Sequence, residues 1–173
     1  MKTVERHKYD GDTIIATRTL EFDPFPYEYI EDVMKKIECY LTPDLLSHKK
    51  LKYPEDVIKY RFYGHCYHSS QALYFLMDTD RLKPYSGVDW REEKHWWLQD
   101  GDTIYDVTVD QYNCRNKVPP YDVGKESKWY GWKQRPQQLT LDLMVKVLGK
   151  RLALDDTVNV WYNNKYWKQI ATQ

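Results

Sequence analysis

A chain of 173 residues is a normal length for one domain and long for two, so a single domain over residues 1–173 is expected, and a 42% hydrophobic content suffices for its core. The 26 basic and 26 acidic residues cancel, which excludes a whole-molecule field of the kind that gathers nucleic acid or an anionic membrane. No apolar run is long enough to span a bilayer and the start, MKTVERHKYDGD, has no apolar signal core, so a cytoplasmic protein without a membrane partner is expected.

Taken in chain order, residues 12–22 hold a β-branched run that predicts a strand, broken by Pro24 and Pro26. Residues 27–40 place Tyr27, Ile30, Val33, Met34 and Ile37 at helical spacing, with Cys39 near the end as a packed or idle thiol. Thr42-Pro43-Asp44 is a cap signal for a second short helix. Residues 65–78 follow Gly64 and predict a helix with Cys66 in its first turn, sharing the core-facing side with Ser70, Leu73 and Met77. Lys83 to Gly87 is rich in turn formers. Residues 94–99 and 102–109 flank Asp100-Gly101, a strong hairpin signal. Residues 110–136 are loop-rich, 139–150 predict a helix ending near Gly149, and 157–170 predict a hairpin around Asn163-Asn164.

The first of these hairpins turns sequence into geometry. With Asp100 and Gly101 as the turn residues, His95 lies opposite Asp106 and Trp97 opposite Ile104, all on one face. An Asp that accepts from an imidazole N–H sets the ring's tautomer and orientation. A Cys in a helix's first turn meets unpaired backbone N–H groups and the positive end of the helix dipole, which favour the anionic, nucleophilic sulfur. If that helix packs on the sheet face bearing His95, Cys66 as nucleophile, His95 as base and Asp106 as orienter form an acyl-transfer triad. The fold class is then α+β, with N-terminal helices and a Cys-bearing helix packed on an antiparallel sheet.

GHCYHSSQALYFL (64–76) and HWWLQDGDTIYDVTVDQY (95–112) carry a resemblance. Their order of helix Cys, strand His and next-strand Asp resembles the papain-like thiol fold in its transglutaminase-like arrangement, a group that includes transglutaminases, arylamine N-acetyltransferases and related bacterial peptidases. The blocks are also similar to those of small phage and bacterial proteins with GHCY followed by HW-x-L and D-x-T-x-DQ, which implies a phage setting. The resemblance implies a thiol enzyme acting on a peptide, protein or small amide or acyl substrate, with the roles just given and no cofactor or metal. Papain-like enzymes often use an upstream Gln or Asn as oxyanion donor, and residues 1–65 contain neither. The backbone N–H of Cys66 is left for that role, helped by Tyr63, His65 or Gln71.

Other residues have two readings. Trp97, with Trp90, Trp96, Trp129 and Trp132, forms a groove wall or packs the core. Asp110 and Gln111 hydrogen-bond at the site's rim or simply end the strand. His65, Cys66 and His68 have metal-binding side chains, but Cys66 points about a hundred degrees from His65 on a helix, so they converge poorly. Cys39, Cys66 and Cys114 include no C-x-x-C pair, which argues against a zinc ribbon or a disulfide framework. Lys128–Arg135 (KWYGWKQR) interleaves basic and aromatic residues, and this supports the alternative of a nucleic-acid- or nucleotide-binding module.

Overall fold

The computed structural model describes residues 1–46, 50, 53–130 and 135–149, with the backbone of 153–154. Helix and strand are mixed along the chain, an α+β composition. β1 (Lys2–Asp10) and β2 (Thr13–Phe22) form an antiparallel hairpin closed by Gly11 and Asp12. β2 is the strand expected over 12–22. β1 escaped detection because Val4 is its single buried residue, so it shows no apolar alternation. Its signal lay in the turn. The pentapeptide DGDTI occurs at 10–14 and again at 100–104, and it closes a hairpin both times. The two glycines have φ +59 while neither following Asp has positive φ, the pattern of a type II′ turn with Gly first.

β3 (Phe25–Pro26) pairs in parallel with β4 (Met77–Asp78). The helix expected over 27–40 begins as a 3-10 turn (Tyr27–Tyr29) and continues as α1 (Ile30–Glu38), which buries Ile30, Val33 and Ile37. The Thr42-Pro43-Asp44 signal yields only a 3-10 turn, Pro43–Leu45. After α2 (Pro54–Lys59) comes α3 (Cys66–Leu76), the helix that opens at the nucleophile candidate. α3 buries eight of its eleven residues on all sides, as a helix at the centre of a fold does. After the one-turn α4 (Asp110–Asn113) comes α5 (Gln138–Leu148), and α3 packs between α5 and the main sheet. Gly149 ends α5 in the left-handed conformation at φ +64, as its position predicts.

That sheet contains β5 (Lys83–Val88), β6 (Lys94–Asp100), β7 (Thr103–Tyr105) and β8 (Lys125–Glu126), antiparallel in the order β7-β6-β5-β8. Two expectations change here. Lys83–Gly87 is a strand rather than a turn, because pairing with β6 along its whole length outweighs the local turn chemistry of Pro84 and Gly87. A Cβ on Gly87 would lie 2.8 Å from the Pro120 carbonyl oxygen, so this glycine admits a close chain approach.

The second change is in register. The pairs are Leu98 with Tyr105, Gln99 with Ile104 and Asp100 with Thr103, so the turn is Gly101-Asp102, one residue later than expected. Trp97 therefore does not face Ile104, which lies opposite Gln99 and is 37% exposed. The reason is turn type. A type I′ turn over Asp100-Gly101 needs positive φ at both residues, whereas II′ needs it only at its first, where Gly101 sits. β7 also stops at Tyr105, short of the strand expected to 109. Among the described residues no helix is long and apolar enough to cross a membrane. The hairpin expected at 157–170 lies outside the described residues.

Candidate active site

Side chains alternate across β6, and the site depends on which face each one takes. Trp96 and Leu98 join the core cluster with Leu73 and Leu76 of α3. The Tyr67 ring of α3 meets Trp96 edge-on at 5.0 Å, and Ser70 Oγ donates to the Trp96 carbonyl at 3.2 Å. His95 and Trp97 project to the other face, stacked at 5.8 Å. The helix thus packs on the face opposite His95 rather than on the same face. The site closes all the same, because β7 pairs only with Leu98–Asp100 and, among the described residues, leaves Lys94–Trp97 without a strand on that side. Cys66, the first residue of α3, reaches this open stretch. Its thiol donates to the carbonyl of Lys94, the residue before His95, at 3.9 Å and acts electrostatically on the His95 ring.

The chain leaves the ladder after Tyr105, and this departure carries the Asp106 carboxylate to His95. Nε2 and Asp106 Oδ2 lie 2.7 Å apart. A carboxylate only accepts, so Nε2 holds the proton of that bond and Nδ1 is the nitrogen left for the sulfur. Asp106 is itself held. Tyr121 Oη donates to Oδ2 at 2.7 Å, the Thr108 backbone N–H donates to Oδ1 at 3.1 Å, and Gln111 Nε2 donates to Thr108 Oγ1 at 3.1 Å. The imidazole is walled by Trp97 on one side and by the edge-on ring of Tyr112 at 4.6 Å. Tyr112 is fixed in turn by donating to Asp89 Oδ2 at 2.8 Å. Burial alone would push His95 down, but the Asp106 charge and hydrogen bond, with the Cys66 sulfur, raise it to about 10. Burial and the neighbouring Asp106 carboxylate push Tyr121 well above the ordinary phenol range, so it remains a donor.

Tyr121, Thr108 and Tyr112 were not foreseen. Tyr121 opens a 3-10 turn (Tyr121–Val123) behind Pro119-Pro120 and has no local signal. Tyr112 stands next to Gln111, and Thr108 lies within the D-x-T-x-DQ block, so both were within reach of the motif. Tyr121→Phe is expected to cost about 1.5 kcal/mol in thermal or urea unfolding, the scale of one hydrogen bond to a charged group.

The auxiliary candidates take varied places. Gln111 supports Asp106 through Thr108, while Asp110 is exposed and caps Asn113 Nδ2 at 3.2 Å. Gln71 is buried at the junction of α3 and α5. Its Oε1 accepts from Gln137 N at 3.0 Å and Thr140 Oγ1 at 2.7 Å, so its amide is spent on packing. Tyr63 is buried and donates to Glu93 Oε1 at 3.0 Å. His65 is buried at the start of α3, and burial pushes it down to about 4. Trp97 is fully buried, backing His95 rather than lining a groove. An oxyanion donor beside Cys66 would therefore come from the backbone. The N–H groups of Cys66, Tyr67 and His68 have no hydrogen-bond partner among the described residues, as first-turn donors commonly do not.

A cleft of about 620 Å³ opens over Cys66, lined by Tyr67, Trp96 and Tyr130 on one side and by Lys50, Glu92 and Glu93 on another. Among the described residues no group of three or more His, Cys, Asp and Glu side chains gathers as a metal site, and His68 Nδ1 is engaged by Thr140 Oγ1 at 3.2 Å. Of the Lys128–Arg135 segment, Trp129 is buried against Trp96, Tyr130 stacks on Tyr67, and Arg135 pairs with Glu5 at 3.2 Å. Residues 131–134 lie outside the described residues. In comparisons with known proteins, no family model, curated protein or solved structure matches the chain.

Proposed function

We propose that this chain is a cysteine-nucleophile enzyme of the papain-like, transglutaminase-like type, acting on an amide or acyl group as a peptidase, amidase, deamidase or acyltransferase. One observation carries the reading. His95 is bonded through Nε2 to a buried, multiply anchored carboxylate and interacts with a thiol that opens onto a cleft.

In the proposed cycle the proton shared by Cys66 and His95 rests on the imidazole, and Sγ attacks the substrate carbonyl carbon. The first-turn N–H groups of α3, unpartnered among the described residues, receive the tetrahedral oxyanion. His95 returns the proton to the departing amine as the C–N bond breaks, leaving a thioester on Cys66. His95 then takes a proton from water or an acceptor amine, which attacks the thioester and releases an acid or a transferred amide with the thiol restored.

The test is the order in which the three cysteines react in the folded protein. Cys39 and Cys114 are exposed and Cys66 is only partly so, so exposure alone predicts that Cys66 labels last. The thiol reading reverses that order with limiting iodoacetamide near neutral pH, followed by peptide mapping. Labelling of Cys66 no faster than the other two would sink it.

A further inference from the structure

Three neighbouring residues at the mouth of the cleft are treated differently by the fold. Glu93 is fully engaged, by Tyr63 Oη at 3.0 Å, Lys50 at 3.5 Å and Arg91 at 3.6 Å. Glu92 also lines the cleft and is exposed, yet among the described residues its carboxylate has no hydrogen-bond or ion-pair partner. Its backbone stands at φ +63, in the left-handed region that the β5–β6 turn requires and that Gly fills without strain. Thus a residue poorly suited to its backbone keeps an unneutralised carboxylate beside the candidate nucleophile. Lys94 is exposed as well. Its ammonium has no carboxylate partner among the described residues and sits instead 5.5 Å from the Trp96 ring and 5.6 Å from the Tyr130 ring. The two rings meet at 74°, and between them they already host a cation.

We propose that the cleft over Cys66 selects substrates bearing a cationic group, an ammonium or guanidinium, near the reactive acyl carbon, seated on the Trp96–Tyr130 pair and facing Glu92. The Lys94 ammonium holds that seat and swings out to admit the substrate. This specificity rests on the thiol reading above, and its test separates the two. The rings attract a cation through their faces, and a nearby unpaired carboxylate adds the longer-range attraction that a neutral amide pocket lacks.

The probes are two methanethiosulfonates of similar size, one carrying trimethylammonium-ethyl and one sulfonatoethyl, with iodoacetamide as the neutral control. In each methanethiosulfonate the Cys66 thiolate attacks the sulfenyl sulfur, forming a disulfide and expelling methanesulfinate. Cys39 and Cys114 are replaced by Ser in every protein compared. Glu92→Gln is expected to lower the cationic-to-anionic rate ratio by about threefold or more, and Lys94→Ala is expected to raise it. Glu92→Gly should lower the ratio likewise while raising the melting temperature, a pairing that a merely structural role for Glu92 would not give. A ratio unmoved by Glu92→Gln, or lowered by Lys94→Ala, overturns the specificity while fast iodoacetamide labelling leaves the thiol reading standing. Slow reaction of Cys66 with all three reagents overturns both.

Discussion

Replacing His95 with Ala is expected to slow iodoacetamide alkylation of Cys66 about tenfold or more at pH 6.5, with the gap closing towards pH 10, where ordinary thiols ionise unaided. The expectation follows from where the proton sits. Burial lowers His95, but Asp106 and the sulfur outweigh it and hold the ring at about 10, so the imidazole is cationic through neutral pH and supplies a positive charge to the site. Asp106→Asn should slow alkylation less, because the ring stays in place between Trp97 and Tyr112 and loses only its counter-charge. The same substitution carries a signed stability effect. A His whose folded value is raised above its ordinary 6.5 contributes stability that is complete below about 6.5 and is lost as pH rises through about 10. Asp106→Asn should therefore lower the melting temperature more at pH 6 than at pH 10. Equal losses at the two pH values, or an alkylation rate indifferent to His95, would contradict the ion-pair geometry.

The residues of the site were legible in the sequence where chemistry and periodicity coincide, and illegible where the fold makes long-range choices. Cys66 at the head of a helix follows from Gly64 and the run of helix formers after it, and α3 begins at that residue. The His95–Asp106 pair follows from an expected register two residues out of step with the observed one. In the observed register the two are not cross-strand partners, and they meet because the backbone turns away after Tyr105 and reaches 2.7 Å by another path. The sheet face was misjudged for a related reason. Trp96, Trp97 and Leu98 are all apolar, so alternation could not tell which side of β6 the helix covers. Gln71 looked like a candidate oxyanion donor because its side chain suits that task, but nothing local shows that Thr140 and Gln137, far along the chain, claim it. Tyr121 was missed for the converse reason, since a contact spanning a proline-rich loop leaves no periodic trace.

Gly124→Ala is expected to cost about 2–3 kcal/mol and to slow Cys66 alkylation as well, because this glycine supports the site from behind. Its backbone, at φ −68 and ψ 145, suits any residue, so the cost is purely one of space. An added Cβ would lie 2.3 Å from Cζ2 and 2.4 Å from Cη2 of Trp97, with the Tyr121 carbonyl oxygen 3.3 Å away. Trp97 has no room to yield. It is fully buried, stacked between Tyr85 and His95, and tethered by its indole N–H to Gln99 Oε1 at 2.8 Å. Displacing it moves the wall that fixes the imidazole, or displaces Tyr121 and one of the donors that hold Asp106. Gly101→Ala is the control. Gly101 has positive φ but nothing within 4 Å of an added Cβ, so it should cost about 1 kcal/mol and leave alkylation unchanged. Unfolding by urea and single-site alkylation measured on the same two variants separate backbone strain at a remote turn from displacement of the ring behind His95. Unchanged alkylation in a folded Gly124→Ala protein would mean that Trp97 packs beside His95 without positioning it.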